Sequence, residues 1–184
     1  MIDKASLSRA RRPKRVGALL ADRRGAAILE FALCASAFFG LLIGILQIAI
    51  VFFAQQGLQT SAETVARRIL TGQVPATMTK DQFRAQACTQ LPVFMNCTNL
   101  YVDVRKASNF SALDTGALSL TYDASGNITN TFAYDPGTAG SIVILRLLYR
   151  WPMGTAPLGL KLSNQLDGSR LLVGTMVFKS ESYS

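Results

Sequence analysis

Glu30 stands directly before Phe31 to Ala54, 24 residues with no charged side chain and with Gln47 as their one strongly polar member. A carboxylate at the mouth of so apolar a run is costly if buried alone, so it must rest at an interface or meet a cation. Just upstream, Arg23, Arg24 and Gly25 precede Ala26. Hydrolysis of the Gly25–Ala26 bond would create an α-amine at Ala26 that could neutralise Glu30 of the same or a neighbouring subunit. It would also remove most of the positive charge ahead of the run. The other reading of these residues is a permanent anchor with an interfacial glutamate.

Little else points to catalysis. The chain has no histidine, which removes the commonest general base and metal ligand. Asp103, Asp114, Asp123, Asp135 and Asp167 fall at expected turns or strand edges and read as solvated carboxylates. Asp103 and Arg105 alternate with Val102 and Val104, which predicts that both face solvent. The three cysteines lack zinc-site spacing, so no enzyme, metal or cofactor is expected. Cys34 lies in the apolar run and is expected to pack there. Cys88 and Cys97 are expected to bond if the body of the chain occupies an oxidising compartment.

The charge is unevenly placed. Residues 1–25 carry eight Lys or Arg against two Asp, a net of +6, and the other 159 residues carry a net of +2. The formal +8 therefore describes the leader, and the body is not expected to bind nucleic acid.

The apolar run is the element that must position Glu30. As a helix it extends about 36 Å, enough to cross a hydrocarbon core of roughly 30 Å with some tilt. The remaining chain is too short to surround it as a buried core helix. It is about twice the length of a secretory signal core, and no small-x-small cleavage site follows it. The basic leader predicts a cytoplasmic N-terminus, with the chain beyond Ala54 on the other side. Gly40 and Gly44 form a small-xxx-small step that could admit a second helix.

The helical pattern continues past the run. Leu58, Ala62, Val65 and Ile69 recur at three- and four-residue steps, and Gly72 and Pro75 end the pattern. One helix over 26–70 is therefore expected. The expected organisation is a leader over 1–25, a transmembrane helix over 26–54, its continuation over 55–70 and an α+β domain over 71–184. Within that domain a short helix from Thr79 to about Leu91 is predicted, with Thr79 as its cap. Strands are predicted at 101–105, 117–122, 130–134, 141–151 and 170–179, with a turn at 123–127. The expected fold is the long helix packed on a small antiparallel sheet of four or five strands. Arg146, inside an apolar strand, is expected to meet a carboxylate in the domain or at a subunit contact.

The stretch from Arg23 through Ala27-Ile28-Leu29-Glu30-Phe31, the apolar run and Gln55 to Arg67 resembles the TadE-like family, pseudopilins or minor pilins of the type IVb tight-adherence (Flp) pilus system. Members have a basic stretch ending in glycine, a Glu-Phe pair, a span and a Gln- and Ala-rich helix. By this resemblance Gly25 precedes a prepilin-peptidase cut, Ala26 is the first mature residue, and Glu30 with Phe31 serves recognition and assembly. The tail from Thr175 to Tyr183 resembles the family's closing strand. Cys34-Ala35-Ser36 stands where members often have a proline, and Ser180-Glu181-Ser182 replaces Asn-Glu-Pro. The resemblance implies a pilin-like fold in the bacterial inner membrane with a periplasmic domain. The implied partners are a prepilin peptidase, other pilins or pseudopilins, the inner-membrane assembly platform and the lipid bilayer.

Overall fold

A helix rich in Ala, Leu and Ile, with no proline, runs from Ala26 to Leu70 (α1). These are residues that lose little on becoming helical, apart from the β-branched ones. The computed structural model describes residues 25–75, 77–112, 116, 120–154, 159 and 161–181. The chain divides into two units, Met1–Leu42 and Ile43–Ser184. Of the first, the described part is the beginning of α1, whose large apolar side chains are exposed.

The end of α1 is set by Gly72, at φ 68°. Its amide donates to Ile69 O at 3.1 Å, and that of Gln73 donates to Arg68 O at 2.8 Å. This is a Schellman closure, which needs a left-handed residue that glycine adopts at no steric cost. Arg67 and Arg68 in the last turn complement the negative end of the helix dipole.

A second helix, α2, covers Lys80–Cys88. Thr79 caps it: the Gln82 amide donates to Thr79 Oγ1 at 3.3 Å and the Thr79 amide to Gln82 Oε1 at 2.9 Å. This reciprocal pair satisfies two amides that would otherwise lack partners. The helix stops three residues short of the expected Leu91. Gln90 and Leu91 donate to carbonyls only three residues back, and Pro92 disfavours the α conformation at Leu91.

Three strands form an antiparallel sheet in the order β1 (Leu100–Ala107), β2 (Ile142–Trp151), β3 (Arg170–Lys179). Leu100 faces Tyr149 at one end of the first ladder, and Ile142 faces Lys179 in the second. Among the described residues the expected count of four or five strands is therefore corrected to three. In the segment 130–134, only Tyr134 bridges to Val104, in parallel sense. Val104 exchanges backbone bonds with Ala133 and Asp135 there, and side chains hold the neighbouring groups. Lys80 Nζ donates to Phe132 O at 2.7 Å, and the Ala133 amide donates to Asp103 Oδ1 at 2.8 Å. Pro136, just beyond, has no amide to offer. In the other expected strand, Tyr122 makes one isolated bridge to Ile128 across the Asp123–Asn127 turn; residues 117–119 lie outside those described.

Along the second half of α1, Val51, Ala54, Leu58, Ala62, Val65, Ala66 and Ile69 are buried. They join one core with Phe83 and Ala87 of α2 and with Val102, Val104, Leu145, Leu147 and Tyr149 of the sheet. Asp103 corrects a second expectation: it is fully buried, because the opposite face of the sheet is covered as well. Its carboxylate lies between the guanidinium of Arg105, at 2.9 Å, and that of Arg146, at 3.9 Å.

Cys88, at the end of α2, is bonded to Cys97, in a short 3-10 turn before β1. Their Cα atoms are 5.5 Å apart and nine positions separate them. Closing a loop of that size stabilises by about 2–3 kcal/mol in the chain-entropy model. Changing both cysteines to serine is therefore expected to lower stability by about that amount. The check is urea denaturation of the detergent-solubilised chain under oxidising conditions, where an unchanged midpoint would refute the estimate.

Candidate functional site

The site singled out by the sequence lies at the start of α1. Gly25 immediately precedes the helix, and Ala26, Glu30 and Phe31 occupy its first two turns. All four are exposed. A Cβ built on Gly25 would meet nothing within 4 Å, and its φ lies outside the left-handed region. Among the described residues, neither packing nor backbone conformation calls for glycine there. Among the described residues, Glu30 makes no ion pair with another side chain. Ala26 and Glu30 are four positions apart, so they share one face of the helix.

Beyond Phe31 the helix is apolar on all sides. Phe31, Leu33, Phe38, Phe39, Leu41 and Ile45 are each more than half exposed. A core helix of a soluble protein would hide such side chains, whereas a lipid-facing helix presents them. Among the described residues this is the one helix long and apolar enough to cross a membrane. Cys34, expected to pack within the run, is exposed on the single chain. Gly40 is half-buried and Gly44 buried.

Two residues with a positioning role were not anticipated. Gln55 Nε2 donates to Val173 O at 2.9 Å, and Gln59 bonds both backbone groups of Thr175, accepting from its amide at 3.1 Å and donating to its carbonyl at 3.3 Å. These glutamines fill the unpaired edge of β3 and fix the rotation of α1 against the sheet. Their four-residue spacing beside the Leu58–Ala62 stripe was the available signal. The Ser61 hydroxyl adds a tie, donating to Gln90 O at 2.8 Å.

The described aspartates of the body do not converge on a catalytic site; Asp114 lies outside the described residues. Asp123 closes its own turn by accepting from the amides of Ser125 and Asn127. Those bonds, the one from the Asn127 amide foremost, hold it below the ordinary carboxylate range. At Asp167 burial pushes upward. The hydroxyl and amide of Ser169, helped by Arg150 at 3.4 Å, outweigh it and hold this carboxyl low. Both are ionised and internally satisfied at neutral pH, which suits turn closure better than proton transfer. No group of His, Cys, Asp or Glu among the described residues could hold a metal ion.

No curated protein and no solved structure matches the chain. A family model does, over less than half of the chain: residues 25–67, which open at Gly25, contain Glu30 and the whole apolar run, and end near the base of α1, match the TadE-like protein family.

Proposed function

We propose that this chain is a membrane-anchored pseudopilin or minor pilin that assists assembly or initiation of a type IVb tight-adherence pilus, and that prepilin peptidase cuts it after Gly25. The observation that carries the reading is the family match beginning at Gly25, at a glycine that nothing in the fold requires. A residue free of structural duty fits a peptidase that must close around it. The exposed Glu30 beside the apolar run fits the second requirement, a carboxylate seeking a cation at the membrane surface.

In this reading residues 1–25 form a cytoplasmic leader. Its net charge of +6 holds the N-terminus at the inner face of the inner membrane. Residues 26–54 span the bilayer, 55–70 continue the helix in the periplasm, and 71–184 form the periplasmic domain. Cleavage removes the leader charge and exposes the Ala26 amine. That amine neutralises Glu30 of its own or a neighbouring subunit, and the apolar helix can then pass from lipid into a bundle of pilin helices. Gly40 and Gly44 give such helices a place of close approach. The work is noncovalent polymer assembly, with other pilins and the inner-membrane platform as partners and no cofactor.

The test is the intact mass of the membrane-extracted protein with and without a co-expressed prepilin peptidase. The expected mass begins at Ala26 when the peptidase is present, and changing Gly25→Trp restores the full-length mass. A full-length mass under both conditions would sink the processed-pilin reading and leave an unprocessed bitopic scaffold of the pilus machinery.

A further inference from the structure

Where α1 leaves its apolar run, the protein body brings a second group of apolar side chains beside it. The Phe53 ring lies 5.5 Å, centroid to centroid, from Phe94, and Phe94 lies 6.1 Å edge-on from Trp151. Phe94 belongs to the loop after α2. Its neighbour Val93 is wholly exposed and touches nothing. Pro92 anchors this loop on α1: a Cβ on Gly57 would come within 2.6 Å of Pro92 Cγ. A turn or so earlier on α1, Ile48, Val51 and Phe52 share the wall of a cavity with Leu162 and Arg170. Arg170 is half-buried there, with Nη1 donating to Leu162 O at 3.0 Å.

The depth of these groups follows from helix length. About 20 residues at 1.5 Å each cross a hydrocarbon core of roughly 30 Å. Counted from Phe31, behind the charged Glu30, that takes the hydrocarbon to about Ile50. Val51 to Ala54 then fall at the level of the lipid headgroups, and Phe94 and Trp151, beside Phe53, share that level. Aromatic rings favour this region because one part can be apolar while another is wet. An arginine whose stem runs along apolar surface can raise its head to lipid phosphate. A loop standing in water would gain nothing from exposing Val93 and Phe94 together.

We infer that the Pro92–Phe94 loop, Trp151 and Arg170 form a second membrane contact, seated in the headgroup layer where the span ends. Val93 and Phe94 enter the edge of the acyl region, and Arg170 faces lipid phosphate. The inference rests on α1 being the membrane span. It adds that the body is held against the bilayer surface before assembly, at a fixed tilt and rotation, so that release from lipid must break this contact too.

Trp151 is the one tryptophan in the chain, so it reports directly. The full chain is reconstituted in phosphatidylethanolamine and phosphatidylglycerol vesicles, some with acyl chains brominated near the headgroup. The expected result is loss of Trp151 emission with brominated lipid and shielding from aqueous iodide. Val93→Glu, at a side chain with no protein contact, should reduce the bromine quenching and restore iodide access, while the chain stays resistant to carbonate extraction. Iodide quenching without bromine quenching, on a carbonate-resistant chain, would overturn the contact and leave the patch to a protein partner. Equal bromine quenching in the Val93→Glu chain would overturn the role of the loop. Release of the unaltered chain by carbonate would overturn the span itself.

Discussion

Changing Asp103→Ala is expected to destabilise the folded body by about 3–5 kcal/mol, the usual cost of removing one member of a buried ion pair. The Asp103 side chain is fully buried, and that of Arg146, directly opposite it across the β1–β2 ladder, is only 3% exposed. Asp103 also accepts the Ala133 amide at 2.8 Å and the Nε of Arg105. Alanine would remove the acceptor for that amide and a buried counter-charge of Arg146 together. Arg146 also donates to Gly116 O at 3.4 Å. The double change Asp103→Leu with Arg146→Leu removes both charges and should recover part of the loss, because buried pairs replaced by apolar residues are often near neutral, while the Ala133 amide still lacks its acceptor. Urea midpoints of the three chains in detergent decide the matter. A loss of under about 1 kcal/mol for the alanine variant, the range of exposed pairs, would show that the charge is not buried in solution.

Local patterns in the chain translated well into structure. The Leu58, Ala62, Val65 and Ile69 stripe became the buried face of α1, because residues at that spacing must share a helix face. The Thr79 cap and the Gly72 stop were legible for the same reason: each acts on neighbours within a few positions. Asp103 was not legible. Alternation says that it lies opposite Val102 and Val104, but not that other segments cover that face. The expected strand at 130–134 failed similarly. Whether it extends its ladder depended on Asp103, which is 30 positions from the Ala133 amide that it takes. The candidate assembly site was readable as a motif because Gly25, Glu30 and the span are contiguous. The patch that joins Phe53, Phe94 and Trp151 has no period, and only the fold assembles it.

At Gly174 the sheet and α1 come close together, and filling the position should separate them. A Cβ on Gly174 would lie 3.0 Å from Leu58 O, 3.3 Å from Leu58 C and 3.2 Å from Ala62 Cβ. Two of these neighbours are helix backbone, which cannot rotate away as a side chain can. Alanine demands a shift of a few tenths of an ångström. Leucine needs space that α1 occupies, so α1 must lift. Lifting it draws Gln55 and Gln59 from their bonds to Val173 and Thr175 and loosens Leu58 and Ala62, both fully buried. Gly174→Leu is therefore expected to cost about 3 kcal/mol, the upper end of ordinary overpacking, and Gly174→Ala clearly less. Urea midpoints should fall in the order glycine, alanine, leucine. Hydrogen exchange should show faster opening at the Thr175 amide in the leucine variant, the edge donor that Gln59 accepts. A leucine variant as stable as the parent would mean that α1 does not seat on β3. The helix would then be free to rotate about its axis, its rotation no longer fixed by the domain.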